Sequence, residues 1–236
     1  MESILNNILF PLMLTLLAFE IGILISKKTK FPLFNPLLVA IALVIGTLCV
    51  FKIEYKTYNE GAKFINAFLG PATVVLAVPL YKQLEALKKN LWPILIGIFI
   101  GCVVSVTCVI AMSFAWGLSQ ELLISLIPKS VTTPIGIEVS NSLGGISSIT
   151  IVAIVVTGIT GSIIGPTVCK ILNIKNEVAA GVSIGTASHA VGTSRAFEMG
   201  EKVGAMSSLS IGVAGLMTVV IAPPIFNLAQ KLIGII

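Results

Sequence analysis

The hydrophobic residues of this chain fall into long runs that short polar or proline-containing segments separate. Runs long enough to cross a membrane cover residues 4–26, 91–118, 149–172 and 204–233, and a shorter run covers residues 37–51. A transmembrane helix needs about 20 predominantly apolar residues. The pattern therefore predicts an all-α fold, a polytopic helix bundle that is integral to the membrane.

The segments between these runs are less regular. They are a polar connection, a proline-broken apolar element, a mixed segment, an uncharged turn and a stretch of small residues, at 52–66, 67–81, 122–139, 140–148 and 178–200 respectively. With these elements the chain has room for about eight membrane segments and for no large extramembrane domain. We expect a single membrane domain over residues 1–236, with broken or re-entrant helices.

Composition agrees with a membrane location and excludes several other classes of protein. Hydrophobic residues make up 56% of the chain and charged residues 11%, whereas charged residues make up about 25% of a typical soluble domain. These values exclude a water-facing globule and a disordered tail. The net charge of +5 is small enough to come from lysines in loops beside the membrane, so nucleic acid is not an expected partner.

The lysines predict which helix ends face the cytoplasm. They concentrate at 27–30 and 82–89, and the positive-inside rule places both clusters in the cytoplasm. Lys170 and Lys175 face the cytoplasm as well if residues 122–140 enter the membrane and return, and they face outward if that segment crosses. The two prolines and the polar centre of the segment favour the re-entrant alternative.

A weak internal echo indicates two related halves. The proline-containing segments 68–81 and 126–140 are each followed, after a polar stretch, by a long apolar helix. Inverted repeats with paired broken segments are typical of secondary transporters, whose binding site lies where the breaks meet. The echo suggests half-repeats at 1–118 and 119–236.

Two stretches carry polar side chains where the surrounding pattern predicts membrane. They are PKSVTTPIGIEVSNSLGG at 128–145 and GTASHAVGTSRAFEMGEK at 185–202. Polar, non-helical backbone survives at membrane depth only when protein buries it or when it lines a wet cavity. Ionisable residues are costly there, so they mark candidate functional sites.

The second stretch contains the only arginine and the only histidine of the chain, Arg195 and His189. A helix break near Gly192 would expose backbone N–H groups that favour an anion, and the Arg195 guanidinium would hold a carboxylate through two hydrogen bonds. The alternative role for Arg195 is a helix-stabilising ion pair with Glu198, three residues later. His189 likewise fits either a proton relay or a neutral side chain that hydrogen-bonds between helices.

The first stretch offers hydroxyl groups, one lysine and one carboxylate. Thr132 and Thr133 precede Pro134, at which we expect the helix to break. Lys129 either reaches the membrane interface or faces a cavity, and Glu138 either caps a helix or pairs with a cation. Neither stretch predicts an enzyme, a metal site or a cofactor, because the chain lacks Asp and its histidine has no ligand cluster around it.

The same stretches carry a resemblance to a known family. PKSVTTPIGIEVSNSLGGISSIT at 128–150 and GTASHAVGTSRAFEMGE at 185–201 resemble the signature of the LrgB/CidB family. NPLLVAIALVIG and YNEGAKFINAFLGPATVVLAVPLY, at 35–46 and 58–81, resemble its N-terminal half. The resemblance extends over nearly the whole chain and implies a bacterial cell membrane protein.

The family resemblance implies two different functions. Members were first described as holin- or antiholin-like proteins that modulate murein hydrolase activity and lysis, with a small membrane partner of the LrgA/CidA type. Related proteins, including a chloroplast glycolate/glycerate translocator, move small monocarboxylates, and bacterial pairs are linked to pyruvate. Broken polar elements suit a transporter better than a lesion-forming holin. We therefore expect a monocarboxylate transporter, with a lysis regulator that has no substrate of its own as the alternative, and a homo-oligomer is compatible with both.

The predicted mechanism is alternating access, with the segments 128–145 and 185–202 meeting near the membrane centre. The expected substrate-binding residues are Thr132, Thr133, Ser188, His189, Thr193, Ser194 and Arg195. The candidates for coupling a proton or Na⁺ are Glu138, His189 and Glu198. We expect Arg195 to point into the cavity between the segments, so that Arg195→Lys weakens binding by losing the two-pronged contact.

The topology gives a first testable prediction. In a chain whose four cysteines are replaced by serine, Lys28→Cys and Lys88→Cys should react with a membrane-impermeant thiol reagent from the same side, because both belong to lysine-rich loops. Glu121→Cys should react from the other side. Labelling of positions 28 and 88 from opposite sides would contradict the predicted arrangement.

Overall fold

The structure is a computed structural model, and it describes residues 9–29, 34–68, 71, 74, 75 and 77–233. No described residue lies in a β-strand, and the predicted all-α fold is confirmed. The chain forms two compact units, residues 1–75 and residues 76–236.

Eleven helices have both ends within the described residues. They are α1 (Leu9–Thr29), α2 (Pro36–Val50), α3 (Tyr55–Asn66), α4 (Ala77–Lys82), α5 (Leu84–Lys89), α6 (Leu91–Ala115), α7 (Gln120–Leu126), α8 (Thr133–Leu143), α9 (Ser147–Ile171), α10 (Glu177–Met199) and α11 (Glu201–Ile233). Four of them, α1, α6, α9 and α11, are long and apolar enough to cross a membrane, and α2 is a shorter apolar helix. The chain is therefore a multi-pass membrane protein.

The first unit is built on α1, against which α2 and α3 pack. The buried residues of its small core are Ala18, Ala40 and Val44. Gly22 has no side chain, which leaves room for the backbone of Pro36 at the start of α2. On α3, the Tyr58 hydroxyl lies 2.8 Å from the Thr15 hydroxyl and joins α3 to α1.

The second unit contains α6 and α11, which run side by side in the same direction. Near their starts, Ile98 packs in one buried cluster with Met206. Further along both helices, Ile110 packs in another cluster with Phe226. The contact between the two helices is apolar along most of its length.

Residues 120–143 enter this unit and return to the end from which they came. α7 leads into a turn at 127–132, and α8 comes back beside α7. Just beyond α8, the Ile146 N–H donates a hydrogen bond of 2.7 Å to the Ser125 hydroxyl of α7. We call residues 120–143 hairpin 1 and the turn its tip. The chain path of this segment, in which Gly136 of α8 lies beside Pro128 and Gly145 beside Ser125, corresponds to the re-entrant alternative.

Residues 177–199 form a second re-entrant hairpin. α10 is interrupted at His189, whose backbone angles are φ 42° and ψ −140°. The arms before and after His189 fold against each other, because Ala180 and Ala196 share one buried cluster. In a straight helix these two residues would be about 24 Å apart. We call residues 177–199 hairpin 2 and residues 186–189, the end of its first arm together with His189, its tip.

The first arm of hairpin 2 lies parallel to α6. Gly97 of α6 lies beside Val182, and Gly101, one turn later, lies beside Thr186. Both sequences advance in the same direction along the contact. α6 and this arm therefore start at the same end of the unit.

The same arm lies antiparallel to α9. Gly161 of α9 lies beside Ser188, whereas Gly165, one turn later, lies beside the earlier residue Ile184. α9 therefore runs opposite to α6. Because one hairpin follows each of these helices, the two hairpins enter the unit from opposite ends.

This arrangement is an inverted repeat within the second unit. The order of a long helix followed by a re-entrant hairpin occurs first at 91–143 and then, in the opposite direction, at 147–199. Its boundaries differ from those of the half-repeats 1–118 and 119–236 that the proline echo suggests, and these half-repeats stay a prediction.

Some local elements differ from the sequence prediction. Residues 52–66 are predicted as a polar connection but contain α3, because its apolar residues recur at helical spacing and form no continuous run. The uncharged turn predicted at 140–148 begins only at Gly144, whose φ is 89°. Of the predicted element 67–81, residues 69, 70, 72, 73 and 76 lie outside the described residues, and residues 77–81 belong to α4.

The two helix breaks also lie elsewhere than predicted. Pro134 is within the first turn of α8, where a missing N–H removes no hydrogen bond, so it starts this helix. The break lies before it, at 127–132. In hairpin 2 the break is at His189 and not near Gly192, which packs against Ile184 where the arms approach each other.

The fold of hairpin 2 predicts a cross-link that a straight helix would forbid. With the native cysteines replaced, Ala180→Cys combined with Ala196→Cys should form a disulfide under mild oxidation, detected as a protected cysteine pair by mass spectrometry. The matched control is Ala153→Cys with native Cys169, which has the same sequence separation within α9 and should stay reduced. Equal disulfide formation in the two cysteine pairs would show that residues 177–199 do not fold into a hairpin.

Candidate functional site

The tips of the two hairpins meet beside α6 and α11. There they enclose a small recess of about 10 Å³, which is roughly the volume that one ordered water needs. Four hydroxyl groups and one thiol line the recess among apolar side chains, and they belong to Cys102, Ser105, Ser130, Thr186 and Thr218. A polar spot of this kind inside an apolar bundle is a candidate binding site.

Two larger cavities flank the first arm of hairpin 2. The wide cavity, of about 630 Å³, lies between this arm and α6, and the side cavity, of about 480 Å³, lies between this arm and α9. The wide cavity begins near Asn176 and the side cavity near Ile174, at the end of the unit where α10 starts. Both reach Lys129 in the tip of hairpin 1. Most of their lining residues are apolar, as is usual for small-molecule sites.

Lys129 is the cation of both cavities, and no other cation among the described residues lines either one. Its Nζ donates a hydrogen bond of 3.2 Å to the Ser130 hydroxyl. That hydroxyl in turn lies 3.1 Å from the Ser105 hydroxyl on α6. No carboxylate of the described residues pairs with Lys129. Its charge is therefore supported by hydroxyl dipoles and has no partner of opposite sign.

His189 is held in its uncommon backbone conformation by hydrogen bonds on two sides. A positive φ is rare for a residue with a β-carbon, so the surroundings must stabilise it. The His189 Nε2 lies 2.9 Å from the Ile154 carbonyl oxygen on α9. The Thr193 hydroxyl donates to the His189 carbonyl at 2.8 Å and lies 2.7 Å from the Ser207 hydroxyl on α11. The geometry matches the alternative of a histidine that bonds between helices.

Two glycines of α9 make room for the tip of hairpin 2. The His189 ring lies against Gly158, and Ser188 lies against Gly161. A β-carbon at either glycine would collide with these side chains. The absence of side chains at these two positions therefore lets the tip reach α9.

Arg195 lies away from both cavities, contrary to its expected position between the hairpins. Its side chain is 47% exposed and forms an ion pair with Glu198. The reversal at His189 explains the difference, because the second arm continues as a regular helix and carries Arg195 back toward the end where α10 starts. The alternative of a helix-stabilising pair is the one that the structure contains.

The other predicted site residues divide between the tips and the surface. Ser188 lines the side cavity, and Thr193 is buried behind the tip of hairpin 2. The remaining candidates line neither cavity: Thr132 and Thr133 are half-buried at the start of α8, and Glu138, Ser194 and Glu198 are exposed.

Sequence reasoning left Lys129 undecided and did not select Ser105, Ser130 or Thr186. A signal for Lys129 was present, since it is the only cation within the first polar stretch. Ser105 and Thr186 gave no such signal, because single hydroxyls are common in membrane helices and only the packing of the tips brings these two together.

The fold and the site define a class, that of multi-pass membrane proteins with two broken helical elements. The two hairpins enter one helical unit from opposite ends, and both border cavities whose only cation among the described residues is Lys129.

Comparison with known proteins gives the family. The chain matches the LrgB-like family over residues 15–228 and belongs to it. It is 40% identical to the antiholin-like protein LrgB of Bacillus mycoides (strain KBAB4) and to that of Bacillus cereus (strain B4264), in each case over 91% of this chain and 94% of the relative. It is 37% identical to the protein YxaC of Bacillus subtilis (strain 168) over 87% of this chain and 90% of that protein. No solved structure matches the chain.

The packing of hairpin 2 on α9 can be tested through protein stability. Gly161→Ala should lower the free energy of unfolding by about 1–3 kcal/mol, because the new β-carbon overlaps Ser188. The measurement is the thermal unfolding midpoint of the purified protein in detergent. Gly212→Ala on α11 is the matched control, since a β-carbon there meets nothing within 4 Å. Equal midpoints for the two variants would show that the tip does not pack on Gly161.

Proposed function

We propose that this protein is a membrane transporter of small monocarboxylates that works by alternating access. The observation that carries the proposal is the position of Lys129, an ammonium group without a carboxylate partner on the wall of both cavities. A cation at membrane depth is costly unless an opposite charge compensates it. A single cation is matched by one carboxylate, which favours monocarboxylates over dicarboxylates.

The substrate carboxylate binds to the Lys129 ammonium at the tip of hairpin 1. The hydroxyl pair Ser130 and Ser105 already orients Lys129 and contributes to the same polar patch. Ser188 approaches from the side cavity. The remainder of the substrate lies against the apolar wall of the wide cavity, which suits small acids of the pyruvate, glycolate and glycerate class. His189 and Thr193 act by holding the tip of hairpin 2 in place.

The cavities support alternating access because both lead from one end of the unit to Lys129. Toward the other end, a buried apolar cluster that includes Ile110, Leu123 and Phe226 closes the space behind hairpin 1. The lysines near the open end, which include Lys88 and Lys175, favour a cytoplasmic orientation for it. The inverted repeat provides the second state, in which hairpin 1 opens and hairpin 2 closes.

A coupling ion is part of the proposal. Glu138 and Glu198 are exposed, and Glu198 already pairs with Arg195, so neither is placed to sense an occupied site. His189 is the coupling candidate that lies at a hairpin tip, where its ring also holds the tip to α9. In our proposal a proton that binds to this ring changes how the tip is held, so a proton is the preferred coupling ion, with Na⁺ as the alternative.

The names of the relatives favour a second candidate function. Two of them are called antiholin-like proteins, and by analogy this chain takes part in the regulation of lysis together with a small LrgA-like membrane partner. In our proposal carboxylate transport is the molecular activity and the effect on murein hydrolases is downstream. The alternative is a holin-like regulator of lysis without its own substrate. Such a protein has no need of an unpaired cation on the wall of a cavity.

Lys129 provides the decisive test. Uptake of labelled pyruvate into vesicles that contain this chain, with and without an LrgA-like partner, should fall at least about tenfold in Lys129→Met, since a charge-assisted hydrogen bond is lost. Lys175→Met removes the same charge from a loop and should transport normally. Arg195→Lys should also transport normally, because Arg195 lines neither cavity.

Three outcomes would contradict this assignment. Normal uptake by Lys129→Met would show that Lys129 does not bind the substrate. Loss of uptake in Arg195→Lys, but not in Lys129→Met, would show that Arg195 binds the carboxylate instead. Dye leakage without uptake of any acid, with or without the partner, would favour the holin-like alternative.

A further inference from the structure

Thr186, in the first arm of hairpin 2, carries a polar atom that the rest of the protein leaves unsatisfied. Among the described residues, its Oγ1 is the only buried side-chain nitrogen or oxygen without a hydrogen-bond partner. The residue is 8% exposed. A buried hydroxyl without a hydrogen-bond partner is unfavourable, so its presence at this position calls for a partner that binds there.

The packing around Thr186 fixes its side chain. A β-carbon built on Gly101 would lie 2.9 Å from the Thr186 methyl carbon, so this methyl group fills the space that the glycine leaves on α6. The residue lines both the wide cavity and the recess between the tips. It therefore stands at the boundary between the large space for a substrate and the small polar space beyond.

The other hydroxyl groups of the recess are already engaged. Ser105 and Ser130 lie 3.1 Å from each other, and Ser130 accepts from Lys129. The Thr218 hydroxyl points to the Cys102 sulfur at 3.7 Å. Thr186 is thus the recess hydroxyl that is left for a ligand, and Lys129 on the same cavity wall is the group that holds the carboxylate.

We propose that Thr186 is the specificity-determining residue that recognises an oxygen on carbon 2 of the substrate. The assignment rests on the proposed function. With the carboxylate on Lys129, carbon 2 is the next atom of the substrate, and its oxygen enters the recess, which has room for one group of about the size of water. A 2-oxo oxygen accepts a hydrogen bond from Thr186, and a 2-hydroxyl group donates or accepts one. An acid without this oxygen leaves Thr186 unpaired and binds more weakly.

The experiment compares acids of nearly equal size in vesicles that contain the full chain and an LrgA-like partner. Labelled pyruvate uptake is inhibited by lactate and by propionate, which differ in the 2-hydroxyl group. In the wild type, lactate should inhibit about tenfold to a hundredfold more strongly than propionate. Thr186→Val removes the hydroxyl at nearly constant volume, so the two inhibition constants should become nearly equal while that of propionate stays unchanged.

Further variants separate this role from a structural one. Thr186→Ser keeps the hydroxyl and should keep the preference, and Thr107→Val, on the exposed face of α6, should leave it unchanged. Gly101→Ala displaces the Thr186 side chain without removing its hydroxyl and should reduce the preference by a second route, which decides the question even if Thr186→Val fails to insert.

The failure of this inference differs from failure of the transporter proposal. Pyruvate uptake with an unchanged preference in both Thr186→Val and Gly101→Ala would overturn the role of Thr186 and leave transport intact. Absence of uptake by the wild-type protein would overturn the proposed function and this inference together.

Discussion

Where a backbone leaves its helix inside a membrane, its N–H and C=O groups need hydrogen-bond partners and shielding from lipid. Both must come from the protein itself, because hydrocarbon has no hydrogen-bonding groups. This constraint governs the second unit. The chain leaves regular helix twice at depth, once at 127–132 and once at His189. Each tip is covered by α6, α9 or α11 and by the other tip. The three long helices therefore act as a frame whose interior surface is shaped to receive two irregular turns.

Hydrogen bonds and small residues supply that cover. His189 adopts a conformation that costs about 1–3 kcal/mol for a residue with a side chain. The bond of its ring to α9 offsets this cost, as does Thr193, which bonds to the His189 carbonyl and to Ser207 of α11. Gly158 and Gly161 let the tip lie directly on α9. The hydroxyl groups of Ser105 and Ser130 join the tip of hairpin 1 to α6. The small residues of these helices therefore serve first of all to pack the two tips, whether or not they also contact a ligand.

The same arrangement produces the chemistry of the site. Because the two hairpins approach each other inside the bundle, Lys129 is placed on the wall of both cavities, next to hydroxyls and without an ion pair to a carboxylate of the described residues. A partly buried cation without a partner interacts more strongly with a small anion than a cation in bulk water does, since its surroundings screen it less. The opposed entry of the hairpins gives each end of the unit its own hairpin beside that group. In our proposal these features serve as an anion-binding centre and two gates.

The sequence alone determined the class of the protein and the segments that matter. Long apolar runs with few charges permit only membrane helices, and polar residues inside such runs permit only buried or cavity-lining positions, so the bundle and the two polar stretches could be read directly. It did not determine which residues of those stretches face each other. Arg195 carried the strongest chemical signal and lies on the exposed second arm, whereas Lys129 carried an ambiguous one and lines both cavities. The direction of a side chain depends on where the helix reverses, and that position was decided by tertiary contacts of His189 with α9 and of Thr193 with α11, between residues far apart in the chain. The hydrophobic pattern of a helix indicates which of its residues are buried. Which helices contact each other is visible only in the packed structure.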